Sequence, residues 1–274
     1  MEHHTMKSNE AGVSESIGFM LIFTIVIAGI ALVTLYGYPL LLQQQLGAEE
    51  KIMEKNMIVL QNDMKSLAYK TVPFKETALK IGGGSLTVYN SSLSNSSSRF
   101  SVTYGPVGSG TNYVSLFKPG ELRYESVSAQ TDISLQNGAV LMRPRNQKGS
   151  TMLAEPRWYY DPPTKTLVIN LINVTSDTIM AKEGIGTVRM KLGETNYLPI
   201  PPTLNGEVKI DYTPNAGLNG LDYSVGWDNF MKKTFPNQLV SSVGSPGTGG
   251  TITYTIAPVD TLVIKKYEVK VEAI

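Results

Sequence analysis

Cysteine is absent from the sequence, and histidine occurs only twice, at His3 and His4. The first absence excludes a disulfide scaffold, a thiolate zinc site and a thiol nucleophile. The second leaves no imidazole beyond residue 4 for acid–base catalysis or for metal binding. A folded domain in this chain must be stabilised by its own hydrophobic core, which 274 residues are enough to build.

Charged residues are scarce, at 17% of the chain, and the net charge is +1. No segment gathers lysine and arginine into the positive stripe typical of nucleic-acid binding, so we expect no nucleic-acid partner. Gly82-Gly83-Gly84 lacks the Lys-Ser/Thr of a phosphate loop and indicates a β-turn instead. Asp211, Asp222 and Asp228 leave a shared cation site open, but no calcium-loop spacing occurs. We expect no enzyme activity, no cofactor and no metal.

Residues 17–42 contain no charged side chain. At about 1.5 Å per helical residue, this run is long enough to cross a hydrocarbon core of about 30 Å. It is too long for the apolar part of a cleaved secretory signal, which has about 7–15 residues. The sequence therefore predicts a membrane-spanning helix over residues 13–45, with a fully buried core helix as the alternative.

The residues before this run form a short polar leader, followed by Gly12 and a Val-Ser-x-x-Ile-Gly motif that starts at Val13. This arrangement resembles the class III signal peptide of archaeal type IV pilins and related pilin-like surface proteins. The resemblance implies a leader over residues 1–12 that a prepilin peptidase-like enzyme removes, cutting at Gly12–Val13 or one residue earlier. It also implies a cytosolic N-terminus and an extracellular C-terminal domain. An unprocessed membrane anchor is the alternative.

Residues 46–70 carry a heptad pattern and predict an amphipathic helical stalk. Pro39, just before it, predicts a kink, since proline removes one helical hydrogen bond. Two packing partners fit the apolar seam: the protein's own β domain, or copies of the same helix. In a pilin-like protein both hold, with the upper half docked and the lower half in a filament core. The seam consists of Leu46, Met53, Met57, Leu60, Met64 and Leu67.

Residues 71–274 show short β-type runs separated by turn signals, which is typical of an antiparallel β-sandwich. Asn137-Gly138 predicts a tight hairpin, residues 267–272 alternate as in a half-buried strand, and residues 221–235 have the pattern of one short helix. The predicted fold class is therefore α+β: a long N-terminal membrane-spanning helix followed by a mainly antiparallel β-sandwich domain. We expect residues 71–274 to fold without the helix.

Three Asn-x-Ser/Thr sequons mark candidate N-glycosylation sites at Asn90, Asn95 and Asn173. Asn90 and Asn95 lie in a polar tract, residues 90–99, which we expect to form an exposed loop. The glycoprotein hypothesis depends on export of this domain.

These patterns favour a pilin-like cell-surface protein, structural or adhesive, which self-associates through its N-terminal helix as a filament subunit or minor pilin. A single-pass anchored extracellular binding protein that never polymerises is the first alternative. A membrane-tethered hydrolase on a β-sandwich is the second, and it requires converging carboxylates.

Overall fold

The chain divides into two units, Met1–Ala48 and Glu49–Ile274. The computed structural model describes residues 10–70, 72–91, 98–127, 129–215 and 221–274, and only the backbone for residues 10–15. We refer to the two units as the helical unit and the β unit.

The apolar run of the helical unit is helical throughout. It comprises α1 (Glu10–Leu32), a π-helical turn (Val33–Gly37) and the start of α2 (Tyr38–Tyr69). All side chains of residues 16–45 are exposed, and the most apolar 18-residue window has a mean hydropathy of 2.6. The alternative of a buried core helix is therefore wrong. This helical stretch is the one candidate membrane span among the described residues, judged by length and composition.

The π-helical turn lies directly before Pro39, where the sequence predicts a kink. Proline has no backbone N–H, so the helix loses a donor there, and the proline ring crowds the carbonyl four residues earlier. The backbone N–H of Tyr38 donates to the carbonyl of Val33, five residues earlier. This wider turn accommodates Pro39 within a helix that continues to Tyr69.

The β unit contains the remainder of α2, fourteen described strands and the short helix α3 (Ser224–Thr234). That helix confirms the prediction for residues 221–235. The strands are β1 (Phe74–Tyr89), β2 (Arg99–Gly105), β3 (Thr111–Phe117), β4 (Glu121–Ser126), β5 (Thr131–Gln136), β6 (Ala139–Pro144), β7 (Thr151–Ala154), β8 (Tyr159–Asp161), β9 (Thr166–Thr175), β10 (Met180–Leu198), β11 (Gly206–Thr213), β12 (Leu239–Val243), β13 (Ile252–Val259) and β14 (Thr261–Ala273).

These strands form two sheets. The larger has nine strands in the order β7-β6-β5-β4-β1-β10-β14-β9-β8, and the smaller has five in the order β12-β13-β11-β2-β3. Every strand pair is antiparallel except β9 with β14, which run parallel from Thr166↔Thr261 to Thr175↔Lys270. The predicted α+β class with a mainly antiparallel two-sheet domain is confirmed.

The nine-stranded sheet is covered on both faces, which produces two hydrophobic clusters. On one face, Tyr124 and Ile133 pack with Met57 and Leu60 of α2. On the other, Ile169 packs in a cluster with the five-stranded sheet and α3. Aromatic rings dominate this second cluster. The rings of Phe100 and Trp158 lie 5.0 and 5.5 Å from that of Trp227 of α3.

Two local predictions are confirmed in detail. Asn137 and Gly138 adopt φ angles of 48° and 71°, and they join β5 to β6 with Gln136 paired to Ala139. Positive φ at both central residues is what a type I′ turn requires, and asparagine and glycine tolerate it best. In β14, Tyr267, Val269 and Val271 are buried and the residues between them are more accessible.

The conformation of the glycine triplet differs from the predicted β-turn. Gly82, Gly83 and Gly84 lie inside β1 rather than in a turn, at a shift of register between Ile81 and Leu86 against β10. A Cβ atom on Gly84 would overlap the carbonyl oxygen of Glu125 in β4. The glycines therefore form a bulge that lets two strand backbones approach closely.

The domain boundary also differs. The sequence places it at residue 71, whereas the β unit begins at Glu49. Physically, the second half of α2 supplies core residues to the nine-stranded sheet, so it belongs to that folding unit. The sequence could not assign the helix to the sheet, because its seam has no local preference for one apolar partner over another.

Candidate functional site

The predicted processing positions, Gly12 and Val13, lie within α1, which begins at Glu10. Their backbone is helical. Their side chains are not among those that the structure describes. Cleavage at this point stays a prediction.

The predicted helix seam is divided between the two units. Met53, Met57, Leu60, Met64 and Leu67 are fully buried, at 0% exposure, in the cluster of α2 with the nine-stranded sheet. Leu46 belongs to the helical unit. The docked arrangement of the upper helix is thus confirmed, and these five side chains are unavailable to another copy of the chain.

Polar contacts fix the register of α2 on the sheet. Gln61, 1% exposed, donates from Nε2 to the carbonyl of Gly138 at 2.7 Å and to the carbonyl of Glu155 at 2.9 Å. The amide of Asn56 donates to the carbonyl of Lys80 at 3.2 Å. Sequence analysis did not identify Gln61 or Asn56. Nothing in the local sequence indicates the hydrogen-bond partner of a polar side chain beside an apolar seam.

The sequons occupy different environments. Asn90 is buried, at 8% exposure, and its Nδ2 donates to the carbonyl of Ser176. The prediction of an exposed loop is therefore wrong at Asn90, and a glycan on that nitrogen would compete with this hydrogen bond. Asn173 is half-buried in β9, between β8 and β14. Asn95 lies outside the described residues.

A buried ionic cluster on β4 and β5 was not anticipated. Glu121, Arg123 and Asp132 are at most 4% exposed. Arg123 pairs with Glu121, and its Nη1 lies 3.2 Å from Oε1 of Glu125. Burial lowers the pKa of Arg123, but the charge and hydrogen bond of the Glu121 carboxylate, together with Tyr223 and Tyr89, raise it, and the net pKa lies above its ordinary value. The detectable signal is the alternation of Glu-x-Arg-x-Glu from residue 121, which places all three side chains on one face.

A cavity of about 410 Å³ adjoins this cluster and is lined by Glu125, Asp132, Arg143, Arg145 and Leu221. Arg145 forms a bidentate pair with Asp132, at 2.6 Å from Nη2 and 3.0 Å from Nε. A proton donor or nucleophile for hydrolysis needs a carboxylate free to exchange protons or to attack. Here each of these carboxylates is bound to a guanidinium.

The three aspartates of the conceivable cation site bind other groups. Asp211 accepts hydrogen bonds from Ser101 and Thr253, and Asp222 accepts them from the backbone N–H groups of Ser224 and Gly249. Asp228 pairs with Lys232 at 2.6 Å. In the part of the chain that the structure describes, no three acidic or histidine side chains form a metal-binding group.

The fold thus defines an α+β protein in which one helix among the described residues is long and apolar enough to cross a membrane. The chain belongs to the Family of unknown function (DUF7289), whose profile matches residues 12–204, more than two thirds of its length. The match begins within α1 and ends between β10 and β11. No curated protein and no solved structure matches the chain.

Proposed function

We propose that this protein is a pilin-like cell-surface protein with a structural or adhesive role. One helix holds it in the membrane, the leader before Val13 is removed on the cytosolic side, and the β unit lies outside the cell. The supporting observation is the contrast within one helical stretch. Residues 16–45 bury no side chain, whereas five seam residues from Met53 to Leu67 are completely buried.

This contrast supports the proposal because a continuous apolar surface is not stable in water. A surface of this kind must be covered by lipid or by other apolar helices. A membrane supplies the first environment, and the core of a filament supplies the second. The β unit already uses the second half of α2 for its own core, so self-association would involve residues 17–45.

A non-polymerising single-pass anchor is the second candidate. The observation in its favour is the same burial of the upper seam, which removes five apolar side chains from any contact between copies. The resemblance of the leader to class III signal peptides favours the filament subunit. A membrane-tethered hydrolase has less support, since the carboxylates that line the cavity beside β4 and β5 are paired with arginines.

The absence of cysteine permits a direct test by disulfide cross-linking in cells. We would introduce Ile25→Cys in the apolar helix and, as a matched exposed control, Val240→Cys in β12 of the β unit. A filament subunit should give oxidant-dependent dimers through residue 25 and not through residue 240. A lone anchor should give dimers with neither variant.

Processing and topology are measured on the same cells. Mass spectrometry should find an N-terminus at Val13 or Gly12, and protease added outside intact cells should degrade the β unit. A mature protein that retains Met1 or Met6 would contradict processing. Protection of the β unit from external protease would contradict the proposed orientation.

A further inference from the structure

A polar groove lies beside the C-terminal end of α2, within the β unit. One cavity of about 660 Å³ is lined by residues that include Lys65, Tyr69, Lys70 and Arg157. A second cavity of about 210 Å³ shares Tyr69 and Arg157 with the first and adds Tyr159 and Lys265. We call the two together the Tyr69 groove. Cavities of roughly 300–1,000 Å³ are typical of ligand sites, and two cavities that share a wall suit an elongated ligand.

The groove gathers several positively charged side chains. Among the described residues, Lys65, Lys70, Arg157 and Lys265 form no ion pair with a carboxylate. Glu155, which also lines the groove, is bound through Oε1 to Lys233 at 2.7 Å. In a protein of net charge +1, this is a local excess of cations.

The ammonium group of Lys65 interacts unfavourably with its surroundings. Burial lowers the pKa of Lys65; the Glu155 carboxylate raises it, and the nearby positive charge of Arg157 lowers it, for a net decrease. Nζ of Lys65 donates to the carbonyl of Glu155 at 2.8 Å, which leaves two ammonium protons for a ligand. An anion between Lys65 and Arg157 would relieve both the repulsion and the cost of burial.

The walls of the groove are held in place before any ligand arrives. The guanidinium of Arg157 lies 4.9 Å from the centre of the Tyr69 ring, and that ring meets Tyr267 edge-on at 5.4 Å. The backbone of Glu155 accepts a hydrogen bond from the buried Gln61. Preorganised side chains lose less conformational entropy on binding, which favours affinity.

We propose that the Tyr69 groove binds an acidic polysaccharide through the carboxylates of its sugar acids. Arg157 and Lys65 would hold the carboxylates, since a guanidinium forms bidentate hydrogen bonds with this group and an ammonium supplies a point charge. Tyr159 would lie against a sugar ring, because a tyrosine combines an apolar face with a polar tip. Tyr159 is 46% exposed and so is accessible to a ligand. This inference goes beyond the proposed function and holds whether the protein polymerises or not.

The test uses the full-length chain in detergent micelles and isothermal titration calorimetry with oligogalacturonate, a carboxylated sugar oligomer. We expect saturable binding that weakens with salt and is lost with the carboxyl-reduced form of the same oligomer. Arg157→Gln should weaken binding about tenfold or more, as for loss of a charged hydrogen bond. Lys182→Gln, an exposed cation of β10, is the matched control and should leave the dissociation constant unchanged.

A second pair of variants examines sugar recognition. Tyr159→Ala should weaken oligogalacturonate binding by about threefold to tenfold, and the exposed Tyr197→Ala of β10 should not weaken it. The exposed Lys70→Gln provides an independent charge variant if Arg157→Gln fails to fold. The proposal is overturned by absence of binding, by equal losses in the control variants, or by inorganic polyphosphate binding as tightly and independently of Tyr159. The cross-linking and protease results do not depend on these outcomes.

Discussion

At the scale of single residues, a few buried polar groups fix how the elements meet. Gln61 lies next to the fully buried Leu60, yet its amide spans from α2 to the β5–β6 turn and to the segment after β7. A hydrophobic seam alone allows a helix to slide by a turn, because one apolar contact replaces another. The two carbonyls of Gly138 and Glu155 accept from Gln61 in only one register.

Replacing Gln61 with leucine should therefore destabilise the protein although apolar volume is kept. The carbonyl of Gly138 would lose its donor from α2, and an unsatisfied buried polar group costs about 1–3 kcal/mol. Denaturant unfolding of the chain in micelles, followed by the far-UV signal of the β unit, measures this difference. Lys55→Leu, at an exposed position of the same helix, is the control. Equal unfolding free energies for the two variants would contradict the role of Gln61.

We expect buried tyrosines to limit the stability of the fold at alkaline pH. Burial is the main cause that raises the pKa values of Tyr212 and Tyr223 well above their ordinary value of 10.0. Because the folded pKa exceeds the unfolded one, their contribution to stability is complete below about pH 10 and is lost as the pH rises further. Phenolate absorbance should show some of the 14 tyrosines ionising only with alkaline unfolding, whereas in concentrated guanidinium all ionise together. Full ionisation with an intact far-UV spectrum would refute this.

At the scale of elements, α2 has two environments along its length. Its seam from Met53 to Leu67 is part of the core of the β unit, and the same cluster contains residues of β1, β4, β5, β10 and β14. The face of the sheet beneath it is apolar as well, from Leu122 and Tyr124 to Ile133 and Leu135. The helix thus forms a third layer, packed on the nine-stranded sheet, and is not a separate stalk.

We expect Leu60→Ala to lower the unfolding free energy by about 2–5 kcal/mol, as for other buried leucines that leave a cavity. The exposed neighbour Val59, at 46% exposure, provides the matched control as Val59→Ala. Thermal denaturation of the chain in micelles should show a clear decrease in Tm for the first variant and little change for the second. A stalk that faces solvent or another copy would instead give similar Tm values in the isolated protein.

At the scale of the whole molecule, the helical and β units differ in whether their apolar side chains are exposed or buried. In the helical unit, all residues from 17 to 42 are exposed, and most of them are apolar. The β unit buries its apolar side chains in two clusters on either face of one sheet. The boundary between the two units lies at Ala48–Glu49, within helix α2.

A chain shortened to Glu49–Ile274 should accordingly be soluble, monomeric and cooperative in unfolding, because it keeps both clusters. A chain that begins at residue 72 lacks the seam, exposes the apolar face of the nine-stranded sheet and should aggregate. Analytical ultracentrifugation and circular dichroism compare the two. Equal solubility and equal Tm would show that α2 contributes little to the β unit and would restore the boundary near residue 71.

The sequence by itself determined the features that depend on local chemistry. The length of the apolar run depends on the sum of its side-chain hydropathies, and the Asn137-Gly138 hairpin depends on two residues that tolerate positive φ. The alternation of β14 and the short helix α3 follow from periodicity within one segment. Each needs no knowledge of a partner, and therefore the α+β class could be predicted.

Only the tertiary structure decided which surfaces meet. The methionine and leucine seam of α2 could pack equally well on a sheet or on another helix. It packs on the nine-stranded sheet because the face of that sheet beneath it is apolar. Burial of Asn90 depends on the carbonyl of Ser176, 86 residues away in sequence. Likewise, Lys65 and Arg157 share a groove only because α2 docks beside the segment that follows β7. These features depend on contacts between segments that are distant in sequence, so local sequence patterns do not predict them.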